Sequence, residues 1–414
     1  MGNYFSRLSL KNYKFIQYFF MFFSSTLIAQ LISLLTAPIL TRLYTPEDFG
    51  VYNYYLAIIS LLLIIVTGRY EFALNTAKNA EIPILMFIIK KLTIYLSFVF
   101  WIITIALYSI NIVSEKILVV SIPISLVIMG LLQGNNYFLN RIQNFKVLSK
   151  SKIVQSIING FTSISFGLIN FGLGLIVSNI IALLTSLIYQ IMNSNSRKIK
   201  LKINSRKMMY VLKKYSNLPK FNLPSAFFDM LAIQAPIIVF MKVFNESIVG
   251  YFSLSTKIIG VPLGIISTSI SQVFLSEVSR LHREEKPYYN IIIKVSLILV
   301  GIAIVPFAIL VIFSPKIFSY LFGEGWYTAG VYTQILCIGY FFRFIVQPLG
   351  IVFYINNKIQ LLFVIQIVRF ITTSISLLIG ILYFDFHMTL LLYSIHEAIY
   401  YVVIYYIILK TSRR

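Results

Sequence analysis

This 414-residue chain is short of charge, of acid above all, and of the residues that hold metals. Its one cysteine, Cys337, excludes an internal disulfide and any multi-cysteine metal site. Its three histidines, His282, His387 and His396, are too scattered for a metal centre. Charged residues make up 12% and apolar residues 58%, against about 25% and about 45–50% in soluble domains. A chain this poor in charge cannot cover itself with polar surface in water, and the solvent it needs is a bilayer. The same balance excludes a disordered tail, a collagen and a disulfide scaffold. No P-loop or dinucleotide fingerprint is present, so no built-in ATPase is expected: Gly172-Leu173-Gly174 and Gly323-Glu324-Gly325 read as turns. No Ser-His-Asp arrangement can be argued, and no enzyme is expected. There is no short apolar segment with a small-residue cleavage site, so the first long span is expected to stay as an anchor. Met1-Gly2-Asn3-Tyr4-Phe5-Ser6 carries the Gly2 and Ser6 of the N-myristoylation pattern, but two fixed positions match often by chance and no lipidation is expected.

What is present is base: 35 Lys and Arg against 13 Asp and Glu, a net charge of +22. In a soluble protein this would point to nucleic acid. Here it predicts membrane orientation, because basic residues collect in cytoplasmic loops. About 20 apolar residues cross the hydrocarbon core. Twelve candidate spans follow, near 15–40, 50–68, 92–110, 117–134, 153–170, 174–192, 221–243, 250–275, 291–313, 327–353, 360–382 and 389–409. With the N-terminus inside, only Arg42, Lys116, Lys242 and Lys316 fall in outer loops, and Lys257, Arg343 and Arg369 lie within spans. All other basic residues, Lys152 among them, fall inside, so both termini are expected to be cytoplasmic. The domain reading is a first lobe at 1–192, a basic cytoplasmic linker at 193–220 and a second lobe at 221–414. The linker reads either as a contact for anionic headgroups or as a solvated connection that fixes topology, and the second is expected.

The two halves repeat a pattern. Ala37-Pro38-Ile39-Leu40 precedes Arg42, Glu47 and Gly50; Ala235-Pro236-Ile237-Ile238 precedes Lys242, Glu246 and Gly250. Six spans per repeat place the second half in the same orientation as the first, which is the parallel-repeat plan of many transporters. Pro38, Pro123, Pro236, Pro262, Pro306 and Pro348 fall within spans, where each can kink its helix.

The run Leu35-Thr-Ala-Pro-Ile-Leu-Thr-Arg-Leu-Tyr-Thr-Pro-Glu-Asp-Phe-Gly-Val-Tyr52 resembles the first hairpin of polysaccharide repeat-unit flippases. These are the O-antigen and capsule flippases of the Wzx type, within the multidrug/oligosaccharidyl-lipid/polysaccharide exporter superfamily. Thr67-Gly-Arg-Tyr-Glu-Phe-Ala-Leu74, Val249-Gly-Tyr-Phe-Ser-Leu-Ser-Thr-Lys-Ile258 with Pro262, and Leu321-Phe-Gly-Glu-Gly-Trp326 are also similar to that family. The resemblance implies an all-α integral membrane protein of twelve transmembrane helices, in two parallel six-helix lobes around a central cavity. It implies transport of an undecaprenyl-diphosphate-linked oligosaccharide to the outer leaflet of the bacterial inner membrane, for lipopolysaccharide or capsule biosynthesis. Partners would be that lipid-linked oligosaccharide, membrane lipids and polysaccharide polymerase machinery.

Charges inside spans cost about 2.5–3.5 kcal/mol each on insertion scales, so each needs a partner or a task. Lys257 lies seven residues past Gly250, about 10 Å along its helix. The resemblance places that span at the cavity, where a lysine point charge suits a diphosphate. The other reading makes it a structural partner of Asp229. Arg343 is a second cavity candidate. Arg42 and Arg69 read equally as substrate contacts or interfacial anchors. Asp229 and Glu397 are the acids in the spans, and the resemblance suggests an ion site there, for a proton or sodium ion, tuned by Arg369 and His396. The other reading is a static Arg369–Glu397 pair. No cofactor is expected beyond such an ion. A multidrug exporter of the same superfamily is the rival transporter, a membrane-embedded polysaccharide polymerase the rival enzyme, and a non-transporting scaffold the third alternative. Multidrug export is expected to need an acid-rich or neutral cavity, and a polymerase a large outer loop; every outer loop here is short. The charge asymmetry predicts that single cysteines at Ser196 and Ser314, in a Cys337→Ser background, label from the inner and outer side respectively. Outer labelling at Ser196 would overturn the topology.

Overall fold

The computed structural model describes residues 24–110, 116–194, 205–356 and 358–412, and all regular structure among them is helical. Helix α1 is described over Ser24–Leu43. It is followed by α2 (Pro46–Val66), α3 (Ile82–Ser109), α4 (Lys116–Arg141), α5 (Phe145–Leu168), α6 (Gly174–Asn193) and the short α7 (Ser205–Lys214). Then come α8 (Leu223–Val243), α9 (Glu246–Arg283), α10 (Tyr289–Phe322), α11 (Tyr327–Val346), α12 (Val352–Ile355), α13 (Ile359–Tyr383) and α14 (Phe386–Ser412). Eleven of the long segments are apolar enough to cross a membrane. Helix α5 is the twelfth long helix and falls short of that mark, carrying Lys146, Lys150 and Lys152 among its residues. The Met1–Ser6 motif and the linker positions Ser196, Arg197, Lys198, Lys200 and Lys202 lie outside the described residues.

Several helices outrun the expected spans. Helix α9 has 38 residues, about 57 Å at 1.5 Å per residue, so Arg280 and Arg283 sit on helix rather than in a loop. Ser314, expected at an outer loop, is fully buried inside α10, where its hydroxyl donates to the Gly330 carbonyl at 2.8 Å. A cysteine there would be hidden. Tyr320, 83% exposed, is the reachable substitute for the labelling test. The expected tenth span is also broken: α11 stops at Val346, and a 3-10 turn over Gln347–Ile351, with Pro348 inside it, leads into α12. Pro38, Pro123, Pro236, Pro262 and Pro306 lie within helices, as does Pro315.

The chain divides into two compact units: Met1–Leu43 with Tyr55–Phe227, and Tyr44–Tyr54 with Phe228–Arg414. In unit 1 the 205–220 part of the expected 193–220 linker is built structure rather than a solvated connection. Val211 of α7 is 1% exposed and packs among Tyr70, Leu74 and Leu85. The ends are clasped by Glu81, which accepts from Lys214 Nζ at 2.6 Å and from Tyr215 at 2.8 Å. Burial pushes the Glu81 carboxyl up, but these two donors outweigh it and hold it below its ordinary value. The polar surface of α7 keeps Arg206, Lys207 and Lys213 exposed. Unit 2 is centred on an aromatic cluster in which Phe240 meets Phe386 at 4.9 Å and Phe252 at 5.3 Å between ring centroids.

The sequence repeat has a physical counterpart within unit 2. Helix α2 begins with a capping box: the Thr45 amide donates to Asp48 Oδ2 at 3.0 Å, and the Asp48 amide donates to Thr45 Oγ1 at 3.3 Å. Helix α9 begins with Asn245, whose side chain accepts from the Ile248 amide at 2.9 Å. Between these two starts, Ser247 hydrogen-bonds Glu47. A Cβ on Gly50 would fall on the Glu246 carbonyl oxygen, and a Cβ on Gly250 would fall on the Pro46 carbonyl oxygen. The two helix starts therefore touch backbone to backbone, reciprocally, and each requires glycine. Gly50→Ala and Gly250→Ala should each cost about 1–3 kcal/mol, the usual range for overpacking. Thermal unfolding of the detergent-purified protein checks this; an alanine tolerated at both positions would show that the contact can open.

Candidate functional site

Three helices of unit 2 bring charged side chains together within the spans. Asp229 comes from α8, Arg369 from α13 and Glu397 from α14. Arg369 and Glu397 are each 6% exposed at the side chain and form a two-point pair: Nη2 to Oε2 at 2.8 Å, and Nε donating to Oε1 at 3.4 Å. The same guanidinium reaches Asp229 Oδ1 at 3.6 Å; the Asp229 side chain is 39% exposed. Arg369 also lies against the rings of Tyr400 and Tyr401, 4.9 and 5.6 Å from their centroids. His396 Nε2 is 2.8 Å from Thr372 Oγ1, and its Nδ1 is 3.9 Å from Glu397. Arg343 on α11 hydrogen-bonds Gln347 at 3.3 Å and stacks over Tyr340 at 5.3 Å.

Asp229, Arg343, Arg369, Tyr400 and Tyr401 line a cavity of about 210 Å³. Val346, Gln347 and Gly350 also face it, so the cavity adjoins the break between α11 and α12. Irregular backbone at membrane depth is tolerated where it lines such a space. With Glu397, held by Arg369 beside the cavity, the neighbourhood has two carboxylates and two guanidiniums, and Arg369 is the one paired to both acids. The sequence singled out all four residues. It missed Tyr400 and Tyr401, whose signal is an aromatic pair next to the acid-bearing turn at Glu397.

The remaining candidates lie elsewhere. Lys257 on α9 is half-buried and forms no ion pair among the described residues. Asp229 turns to Arg369 instead, which corrects the reading of Lys257 as its structural partner. Arg42 is exposed near the end of α1, and Arg69 lies after α2; both belong to unit 1. Arg69 follows Gly68, and both are left-handed, with φ of 60° and 58°. Glycine adopts this freely, but arginine at such a φ is held by its surroundings. Its Nε donates to Asn222 at 3.0 Å, its guanidinium lies 4.5 Å from the Phe72 ring, and it is 3.9 Å from Glu71. Glu71 is fully buried and accepts from Gln133 at 2.7 Å; burial raises its carboxyl above the ordinary value. Glu71 escaped the sequence reading because it lies just past the expected end of a span.

A family model described as polysaccharide biosynthesis protein matches residues 39–331. No curated protein sequence matches the chain significantly. Among solved structures it is similar to the lipid II flippase MurJ in an inward closed conformation: TM-score 0.68, 15% identity, covering 94% of this chain and 87% of that one. It is similar to a Vibrio cholerae MATE transporter: TM-score 0.63, 12% identity, covering 95% of each chain. It is also similar to an inward-facing multidrug resistance MATE family transporter of the MOP superfamily: TM-score 0.61, 14% identity, covering 92% of this chain and 93% of that one. These likenesses establish a shared fold.

Removing one partner of a buried pair leaves the other charge uncompensated, at a cost of about 3–5 kcal/mol, whereas replacing both with apolar groups is close to neutral. Arg369→Met should therefore destabilise unit 2 by about that amount. Arg369→Met combined with Glu397→Leu should recover most of it, because Asp229 keeps access to water. Thermal unfolding in detergent reads both; equal loss in single and double variants would show that the pair does more than neutralise charge.

Proposed function

The chain belongs to the polysaccharide biosynthesis protein family, and from that membership we propose that it is a flippase for lipid-diphosphate-linked oligosaccharide repeat units. Its long apolar helices make it a multi-pass membrane protein. In this reading it sits in the bacterial inner membrane with both termini cytoplasmic, and it carries an undecaprenyl-diphosphate-linked oligosaccharide from the cytoplasmic to the outer leaflet by alternating access.

The observation that carries the reading is Lys257. It is an ammonium within a span, half-buried, with no carboxylate in reach among the described residues. A charge left uncompensated there is costly, and a diphosphate is a ligand that would compensate it. Lysine binds phosphate as a point charge without demanding one geometry. Arg343, beside its cavity, is the second candidate for the substrate anion. In unit 1, Arg42 forms no ion pair among the described residues, whereas Arg69 is already engaged by Glu71 and Asn222. Multidrug export is the alternative, but the cations of the Arg369 cluster fully match its acids, which disfavours a cationic drug.

Coupling to an ion is part of the proposal. Arg369 fills the space between Asp229 and Glu397 that a sodium ion would need, so the geometry favours a proton. Of the two carboxylates, Asp229 is the more exposed and the more distant from Arg369, and a proton there would release it from the guanidinium.

In the native strain, Lys257→Ala should abolish surface polysaccharide at normal protein level, and lipid-linked repeat units should accumulate on the cytoplasmic face. Lys257→Arg should keep part of the activity. Full activity in Lys257→Ala removes this residue from the substrate path. In proteoliposomes, Asp229→Asn should retain substrate binding and lose gradient dependence; unchanged gradient dependence retires the coupling role.

A further inference from the structure

Two polar stripes face each other inside unit 1. On α1 they are Thr26, Gln30 and Ser33; on α5 they are Lys152, Gln155 and Asn159. Both follow the spacing of one helix face. Lys152 Nζ donates to Thr26 Oγ1 at 3.1 Å, and Ser156 donates to the Ala29 carbonyl at 2.8 Å. Between the stripes lies a cavity of about 330 Å³, bounded on α6 by Asn179. At roughly 30 Å³ per water, that is space for about ten waters, or for a sugar ring. One turn further along, Gly160 lets α5 approach Thr36 of α1, where an added Cβ would come within 3.1 Å.

Helix packing does not account for this stripe. Hydrogen bonds between membrane helices are worth about 0.6 kcal/mol on average. Helix α5 gives up apolar character for a row of amides, and the row does not even satisfy itself: Asn159 Oδ1 is shut off from solvent and accepts no hydrogen bond from the described residues.

We propose that this cavity is a binding site for a sugar ring that bears a carboxylate. Among the described residues the lining has one cation, hydroxyls and carboxamides, and no Asp or Glu. A cationic ligand would meet Lys152 and find no counter-charge. A bare phosphate would pair with Lys152 but offers only acceptors, leaving the Gln30 and Gln155 carboxamides and most of the cavity unmatched. A sugar acid supplies both: its carboxylate pairs with Lys152, and its ring hydroxyls donate to and accept from the carboxamides. This site is built from unit 1 residues, whereas Lys257 and the Arg369 cluster belong to unit 2. The binding itself does not depend on the flippase reading; only the identification of the sugar as part of a transported repeat unit rests on it.

The test is equilibrium binding of free glucuronate to the full-length protein in detergent, with glucose and inorganic phosphate as comparison ligands. The expected order is glucuronate tightest, glucose at least tenfold weaker, and phosphate a poor competitor. Lys152→Gln should remove the preference for glucuronate over glucose, and Lys152→Arg should keep it. Asn159→Leu should weaken both sugars at least tenfold with thermal unfolding unchanged. The binding is read on solubilised protein with no transport step, so a failed transport reading and a failed sugar site give different results. Absence of glucuronate binding, equal competition by phosphate, or wild-type selectivity in Lys152→Gln would each overturn the proposal.

Discussion

The interaction on which unit 2 depends is the grip of one guanidinium on two carboxylates. In a medium without water, a charge must find its opposite within a few ångströms. Arg369 does so twice, to Glu397 at 2.8 Å and to Asp229 at 3.6 Å. The unequal distances divide the roles. Glu397 is locked, and its pair ties α13 to α14. Asp229 is held loosely and half-open to the cavity, so it can change state while the pair beneath it stays intact. Tyr400 and Tyr401 complete the environment by giving the guanidinium aromatic faces where further acceptors would add unwanted negative charge.

Much of this was legible from composition. Shortage of charge forces burial in lipid, and hydropathy then gives twelve helices to within a few residues at most ends. The charged members of the unit 2 site were legible for the same reason: an ionisable residue in an apolar run stands out. What was not legible is anything carried by neutral polar or boundary residues. Gln155 and Asn159 do not interrupt an apolar run strongly enough to be noticed, although their spacing with Lys152 was there to find. Glu71 sits past a span end and so passed for a loop residue. The break at Gln347–Ile351 needed the structure, because Pro348 alone is compatible with an unbroken kinked helix. The helix within the 193–220 linker was not legible because basic composition hides the single apolar face that Val211 presents.

The internal repeat gains weight because its marker residues share one physical contact. Gly50 and Gly250 are equivalent in sequence and reciprocal in space, each seated on the helix start of the other repeat. A chance similarity of motifs would not place both small residues where only small residues fit.

Unit 2 is discontinuous along the chain, and this sets an order for its construction. The segment Tyr44–Tyr54 belongs to it, yet Ser247, its hydrogen-bonding partner to Glu47, lies 200 positions later. Chains emerge from the ribosome N-terminus first, at about 5–20 residues per second. Residues 44–54 must then wait at least ten seconds or so for α9 to be made. During that interval α1 to α7 can already close the core of unit 1. Contacts so distant in sequence form late and slowly. The nascent protein thus spends part of its synthesis with an open helix start awaiting its partner, and that is when a membrane-resident chaperone would have something to protect.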